Sequence, residues 1–187
     1  MAAALLTATD APPAGTWAID PGRAVVAFSG RAGFLAPTIS ARFATVSGEV
    51  TVGTTHGVRV EVDVTSMTTG NRAWDEVIGA VDPFDTGRFP LAVYESTRVL
   101  WTATGADIEG RLTLRGVTRP VALSASYEVG RAAGRSASAG AGPGRMLVRA
   151  GGTVDRQAFG LRFDVPGVGK LVPRQLRLEI DVDVVRV

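Results

Sequence analysis

Strict alternation is the feature that most constrains this chain. Val58, Val60, Val62 and Val64 are interleaved with Arg59, Glu61 and Asp63. A two-residue period puts one apolar and one charged face on a β-strand. The pattern returns near the C-terminus, where Leu176, Leu178, Ile180, Val182 and Val184 alternate with Arg177, Glu179, Asp181 and Asp183. In GRLTLRGVTRP, residues 110–120, Leu112 and Leu114 point one way and Arg111, Thr113 and Arg115 the other, before Gly116 supplies a turn. An antiparallel sheet with one apolar face must cover that face, so the question is what the face encloses.

Further β-rich runs are Trp17–Asp20 and Ala24–Ser29, separated by the turn dipeptide Pro21-Gly22, then Phe43–Val52, Phe89–Leu100, Ile108–Leu114, Val117–Val129 and Met146–Asp155. About eight strands at fairly even spacing suggest a sandwich or a barrel. TGNRAWDEVIG, residues 69–79, breaks the pattern. Thr69 or Asn71 caps a short helix there, Gly79 ends it, and Trp74, Val77 and Ile78 form its apolar face. A lone amphipathic helix among strands either closes an open end of a barrel or packs outside it.

Composition narrows the class. At 187 residues the chain has one domain's length, and a sizeable core is affordable with 45% hydrophobic residues. No run approaches the ~20 apolar residues of a membrane helix, so stable membrane insertion is not expected. The net charge is only +2, and the arginines alternate with acids rather than forming a basic run, which argues against nucleic acid. There is no cysteine, which removes disulfides and thiolate sites. Residues 1–14 read as a flexible tail, with no basic n-region and an apolar run, Ala2–Leu6, too short for a signal peptide. A cytoplasmic location is the expectation; a leader already removed would place the protein in the periplasm or outside the cell. GRAAGRSASAGAGPG, 130–144, reads as a flexible loop within the domain spanning 15–187.

Catalytic and metal chemistry is sparse. His56 is the sole histidine and sits in a turn, so neither a Ser-His-Asp triad nor a histidine metal site can be assembled. Gly167–Lys170 lacks the first glycine and the Ser/Thr of a phosphate loop. Asp82 and Asp85 read as turn residues, and Asp181 and Asp183 as solvated. Arg156 is less easily placed: it either pairs structurally or grips an anionic head group. No catalytic residue, metal or cofactor is expected.

The ordered set of Trp17-Ala18-Ile19-Asp20, Val60–Thr69 leading into SMTTGN, Pro83-Phe84-Asp85, FPLAVYEST at 89–97, GRLTLRGVTRPVAL at 110–123 and VDRQAFGL at 154–161 resembles the YceI-like family of lipocalin-like, polyisoprenoid-binding proteins. Two places depart from that pattern. Gly22-Arg23-Ala24 stands where the family usually has a His-Ser pair, and Pro83 stands where it has an aromatic residue. The resemblance implies an all-β, eight-stranded antiparallel barrel, lipocalin-like, with one or more short helices closing an end. It also implies a cavity for a polyisoprenoid or related long-chain lipid, such as an isoprenoid quinone or a prenyl diphosphate, and favours a homodimer. On that expectation Phe28, Phe43, Val60, Val62, Tyr94, Leu112, Leu114, Leu123 and Ile180 line the tube. Trp74, Ile78 and Phe84 close one mouth, and Arg156 is the polar candidate. The rival readings are an enzyme acting on a lipid inside the barrel, with Tyr94 as its polar group, and a structural or stress-related protein whose core is filled.

Overall fold

A computed structural model describes residues 11–31, 38–102, 104–130, 144–163 and 172–187. Most of the expected tail and of the 130–144 loop, and the Gly167–Lys170 stretch, lie outside them. Among the described residues ten strands form in chain order: β1 (Gly15–Arg31), β2 (Thr38–Phe43), β3 (Val46–Val52), β4 (Gly57–Asp63), β5 (Met67–Thr68), β6 (Leu91–Thr102), β7 (Gly105–Leu114), β8 (Val117–Val129), β9 (Arg145–Asp155) and β10 (Gln175–Arg186). One α-helix, α1 (Arg72–Val81), stands between β5 and β6.

The sheet closes on itself. Antiparallel pairing runs β10-β9-β8-β7-β6-β4-β3-β1, and β1 pairs back onto β10. That is an eight-stranded barrel, which leaves none of its eight strands as a bare edge of the closed sheet. β1 divides its other edge between two partners: Gly15–Ala18 pairs with β3, and Val26–Arg31 pairs with β2. β5 then adds to β2 through Arg42–Thr68 and Phe43–Met67. β7 and β8 meet in a two-residue turn, with Arg115 at φ 52° and Gly116 at φ 71°, the left-handed pair such hairpins need.

Four local expectations are corrected. Pro21-Gly22 does not end a strand; β1 runs through it, and its pairing with β10 slips between Ile19 and Ala24. A proline without an N–H is tolerated at such an irregularity. Phe43–Val52 is not one strand: it breaks at Ala44-Thr45, where both backbone N–H groups donate to Ser66 Oγ, at 3.2 and 3.1 Å. Val64 leaves β4 for a 3-10 turn capped by Asp63, whose Oδ1 accepts from the Thr65 N–H at 2.9 Å. Finally, α1 runs past Gly79 to Val81, where Asp82 in a left-handed conformation (φ 42°) donates its N–H to the Ile78 carbonyl. Asn71 is the N-cap, accepting from the Ala73 and Trp74 N–H groups.

The core follows the alternation, with Trp17, Phe43, Met146, Phe159 and Val184 fully buried. Val77 is exposed, so the apolar face that α1 turns to the cavity beside it is Trp74 and Ile78. On the outer wall Asp183 is buried rather than solvated. Arg23 and Arg145 each reach its Oδ2 at 3.4 Å, and Arg145 also bonds Asp20 at 3.1 Å. Arg115 likewise is not a free outer residue, because its Nη1 donates to the Gly160 carbonyl at 2.6 Å.

Candidate functional site

A cavity of about 100 Å³ runs inside the barrel. Its wall is wholly apolar and includes all nine residues expected to line a tube: Phe28, Phe43, Val60, Val62, Tyr94, Leu112, Leu114, Leu123 and Ile180. What keeps it open is a row of small residues. Ala106 pairs across the sheet with Ala125, and Ala125 with Ala150, so three adjacent strands present methyl groups to the lumen side by side. Larger side chains there would fill the space, as they do in many small barrels.

Tyr94 brings a hydroxyl to the lumen wall but does not offer it inward. Its Oη donates to the Val121 carbonyl at 3.1 Å. The ring lies over Gly110, where an added Cβ would sit 2.4 Å from it. Burial pushes the Tyr94 pKa up to about 12. The phenol is therefore protonated at neutral pH, and a general base in the lumen is lacking at this position.

α1 packs at one end of the barrel through Trp74 and Ile78. Beneath it lies a second apolar cavity of about 50 Å³, lined by Trp74, Ile78 and Phe84, the three residues expected at a mouth, together with Ile39, Met67, Val172 and Leu176 among others. α1 is tied down by Asp75, whose carboxylate accepts from Thr68 Oγ1 (2.7 Å), the Thr69 N–H (2.7 Å) and Thr69 Oγ1 (2.6 Å). Those donors hold the Asp75 carboxyl below its ordinary pKa. Phe28 stacks edge to face on Phe43 at 5.7 Å, and Phe43 on Phe84 at 5.9 Å. The opposite end carries Trp101, which meets Tyr127 and the exposed His56 edge to face, each at 5.7 Å.

Arg156 lines neither cavity. It is buried, and its guanidinium donates to three carbonyls: Pro173 through Nε (2.9 Å), Leu161 through Nη1 (2.9 Å) and Val172 through Nη2 (3.0 Å). It also stacks over the Phe163 ring at 5.5 Å. Of its two readings, structural pairing is the one the geometry fits. The adjacent Asp155 takes Arg174 instead, at 2.7 Å, and that guanidinium holds its carboxyl below the usual range.

Sequence reasoning missed Ile19, Val26, Ile108, Trp101 and Tyr127 as lumen residues. Trp101 is hidden by a bulge. In β6 the inward residues are Ala92 and Tyr94, but pairing with β7 slips between Ser96 and Arg98, so Val99 and Trp101 face in beyond it. Among the described residues no helix is long and apolar enough to cross a membrane, and no group of three His, Cys, Asp or Glu is placed to hold a metal ion.

Comparison with known proteins gives a consistent picture. A family model of the YceI-like domain matches residues 17–184. A UPF0312 protein of Vibrio parahaemolyticus is 34% identical over 94 residues, 48% of this chain and 50% of that protein. Protein YceI of Escherichia coli is 38% identical over 68 residues, 36% of each. The matched stretches thus span half or less of these relatives. Among solved structures, BcnA of Burkholderia cenocepacia superposes with a TM-score of 0.70 at 16% identity, covering 88% of this chain and 98% of that one. A polyisoprenoid binding domain from Saccharophagus degradans gives 0.64 at 14% identity, covering 91% and 98%. At that identity the likeness shows a shared fold.

Proposed function

The chain belongs to the YceI-like family, and from that premise we propose that its barrel binds the apolar chain of a lipid, a polyisoprenoid or related long-chain molecule, for carriage or sequestration. The observation that carries this reading is the lumen itself: closed by strand pairing, kept open by an alanine row and wholly apolar. Such a site selects by length and shape. Each buried CH₂ contributes about 0.8 kcal/mol, so a chain gains useful affinity there without polar contacts, even after the cost of ordering it. The Saccharophagus degradans domain, described as polyisoprenoid binding, supports the same ligand class for this fold.

The lumen's size sets a condition on the ligand. About 100 Å³ is less than the ~150 Å³ cavity that admits a benzene molecule. A chain of dozens of carbons therefore requires lumen side chains to move or further space to be recruited. The enzymatic alternative needs a reactive polar group inside, and Tyr94 is protonated and committed to the wall. The head group, whether a quinone or a diphosphate, is not met by Arg156, whose donors are engaged by carbonyls.

Native mass spectrometry and organic extraction of the purified protein test the reading. A co-purified isoprenoid or long-chain lipid, or stoichiometric uptake of an added prenyl alcohol, is expected. Clean protein that takes up no prenyl lipid would refute it.

A further inference from the structure

The lumen and the cavity beneath α1 share two lining residues, Phe28 and Leu114. These side chains stand between two apolar spaces. Phe28 projects from β1 opposite Ala41 of β2 and Leu178 of β10, so its ring has a small neighbour on one side. It is only half-buried, whereas Phe43 and Phe84, to which the edge-to-face series leads, are buried. Beyond the ring's own burial, an edge-to-face contact adds no more than the burial of one or two methylenes of a ligand. An incoming chain can therefore displace the Phe28 ring.

We propose that the cavity beneath α1 is a second compartment for the lipid chain, and that Phe28 is the partition that sets how long a chain the protein takes. The proposal rests on the lipid-binding reading above and deepens it. In the closed arrangement a short chain occupies the lumen alone. A longer chain turns Phe28 aside, and its end enters the space under Trp74 and Ile78. The apolar lining of that compartment suits a hydrocarbon terminus, so the polar head remains toward the other end of the barrel.

The test is a chain-length series on the whole protein. Geraniol, farnesol and geranylgeraniol, each one isoprene unit longer than the last, are titrated into wild type, Phe28→Ala, Phe28→Leu and Phe28→Trp, with folding checked by circular dichroism. In wild type, affinity rises with length and then gains less as the chain meets the partition. In Phe28→Ala the geranylgeraniol-over-farnesol preference grows by roughly tenfold or more, since a whole unit gains burial without displacing a ring. Phe28→Leu shifts the same way by less, and keeps the test open if the alanine variant fails to fold. Phe28→Trp favours the shorter alcohols. Equal length preference in folded wild type and variants would overturn the partition while leaving lipid binding intact. Failure of every alcohol to bind any folded form would overturn both.

Discussion

The Tyr94 hydroxyl donates to the Val121 carbonyl at 3.1 Å, so this polar group of the lumen wall is turned into that wall. Tyr94→Phe keeps the ring and removes the donor. The expected loss is about 0.5–1.5 kcal/mol of stability, read from the urea midpoint, with prenyl-alcohol affinity unchanged. The folded pKa of about 12 lies above the ~10 of an unfolded tyrosine. Stability from this group is therefore full below pH ~10 and is lost as pH rises toward 12, by at most about 2–3 kcal/mol. Tyr94→Phe should flatten that alkaline decline. A variant that folds normally but loses lipid would mean that the hydroxyl touches the ligand.

Arg156 fastens the segment after β9 to the approach to β10, through the carbonyls of Leu161, Val172 and Pro173. Arg156→Ala leaves buried carbonyls unsatisfied and should cost about 3–5 kcal/mol. Arg156→Lys recovers only part, because an ammonium cannot reproduce the planar fork. Both are measured by chemical denaturation. Neither should change the ratio of affinities for a prenyl diphosphate and the matching prenyl alcohol. A selective loss of the diphosphate would instead place the guanidinium on a head group.

Asp75 holds α1 over its end of the barrel through Thr68 and Thr69. Its pKa is lowered in the folded protein, so its contribution is present above the ordinary Asp value and is lost as pH falls through the depressed one. Ligand exchange should therefore quicken in acid below about pH 4. Asp75→Ala should show the faster exchange already at neutral pH. Stopped-flow displacement of a fluorescent prenyl probe reads both rates. Identical rates in wild type and variant would mean that α1 does not govern entry.

The alternation made the strands legible from residues alone and left a sandwich or a barrel open; the resemblance to the YceI-like family is what implied the barrel. β8 and β10 stand where the patterns of Val117–Val129 and Leu176–Val184 put them, to within two residues. The twelve apolar residues expected at the site each line one or both of the cavities described above. What escaped is non-local. In β1 the inward residues change from Trp17 and Ile19 to Ala24 and Val26 across Pro21-Gly22, which reads locally as a turn and is a slip in pairing with a strand far along the chain. The break at Ala44-Thr45 depends on Ser66, and the role of Arg156 depends on carbonyls up to 17 residues ahead. A local pattern contains none of these partners. Helix α1 was visible, but its contact face was not: Val77 has the right spacing, yet the face turned to the cavity is Trp74 and Ile78.

The most direct test of the central claim is competition for the lumen by a side chain. Ala125 and Ala150 face each other on β8 and β9 and line the cavity. Ala125→Phe, with Ala150→Phe as its companion, puts a ring into that space at a stability cost of about 1–3 kcal/mol. Geranylgeraniol is titrated calorimetrically into wild type and both variants after each is shown to be folded. Stoichiometric binding to wild type, weakened at least tenfold in both plugged variants, is the predicted result. Equal binding to wild type and to folded, plugged protein would contradict it, because the lipid would then not be inside the barrel.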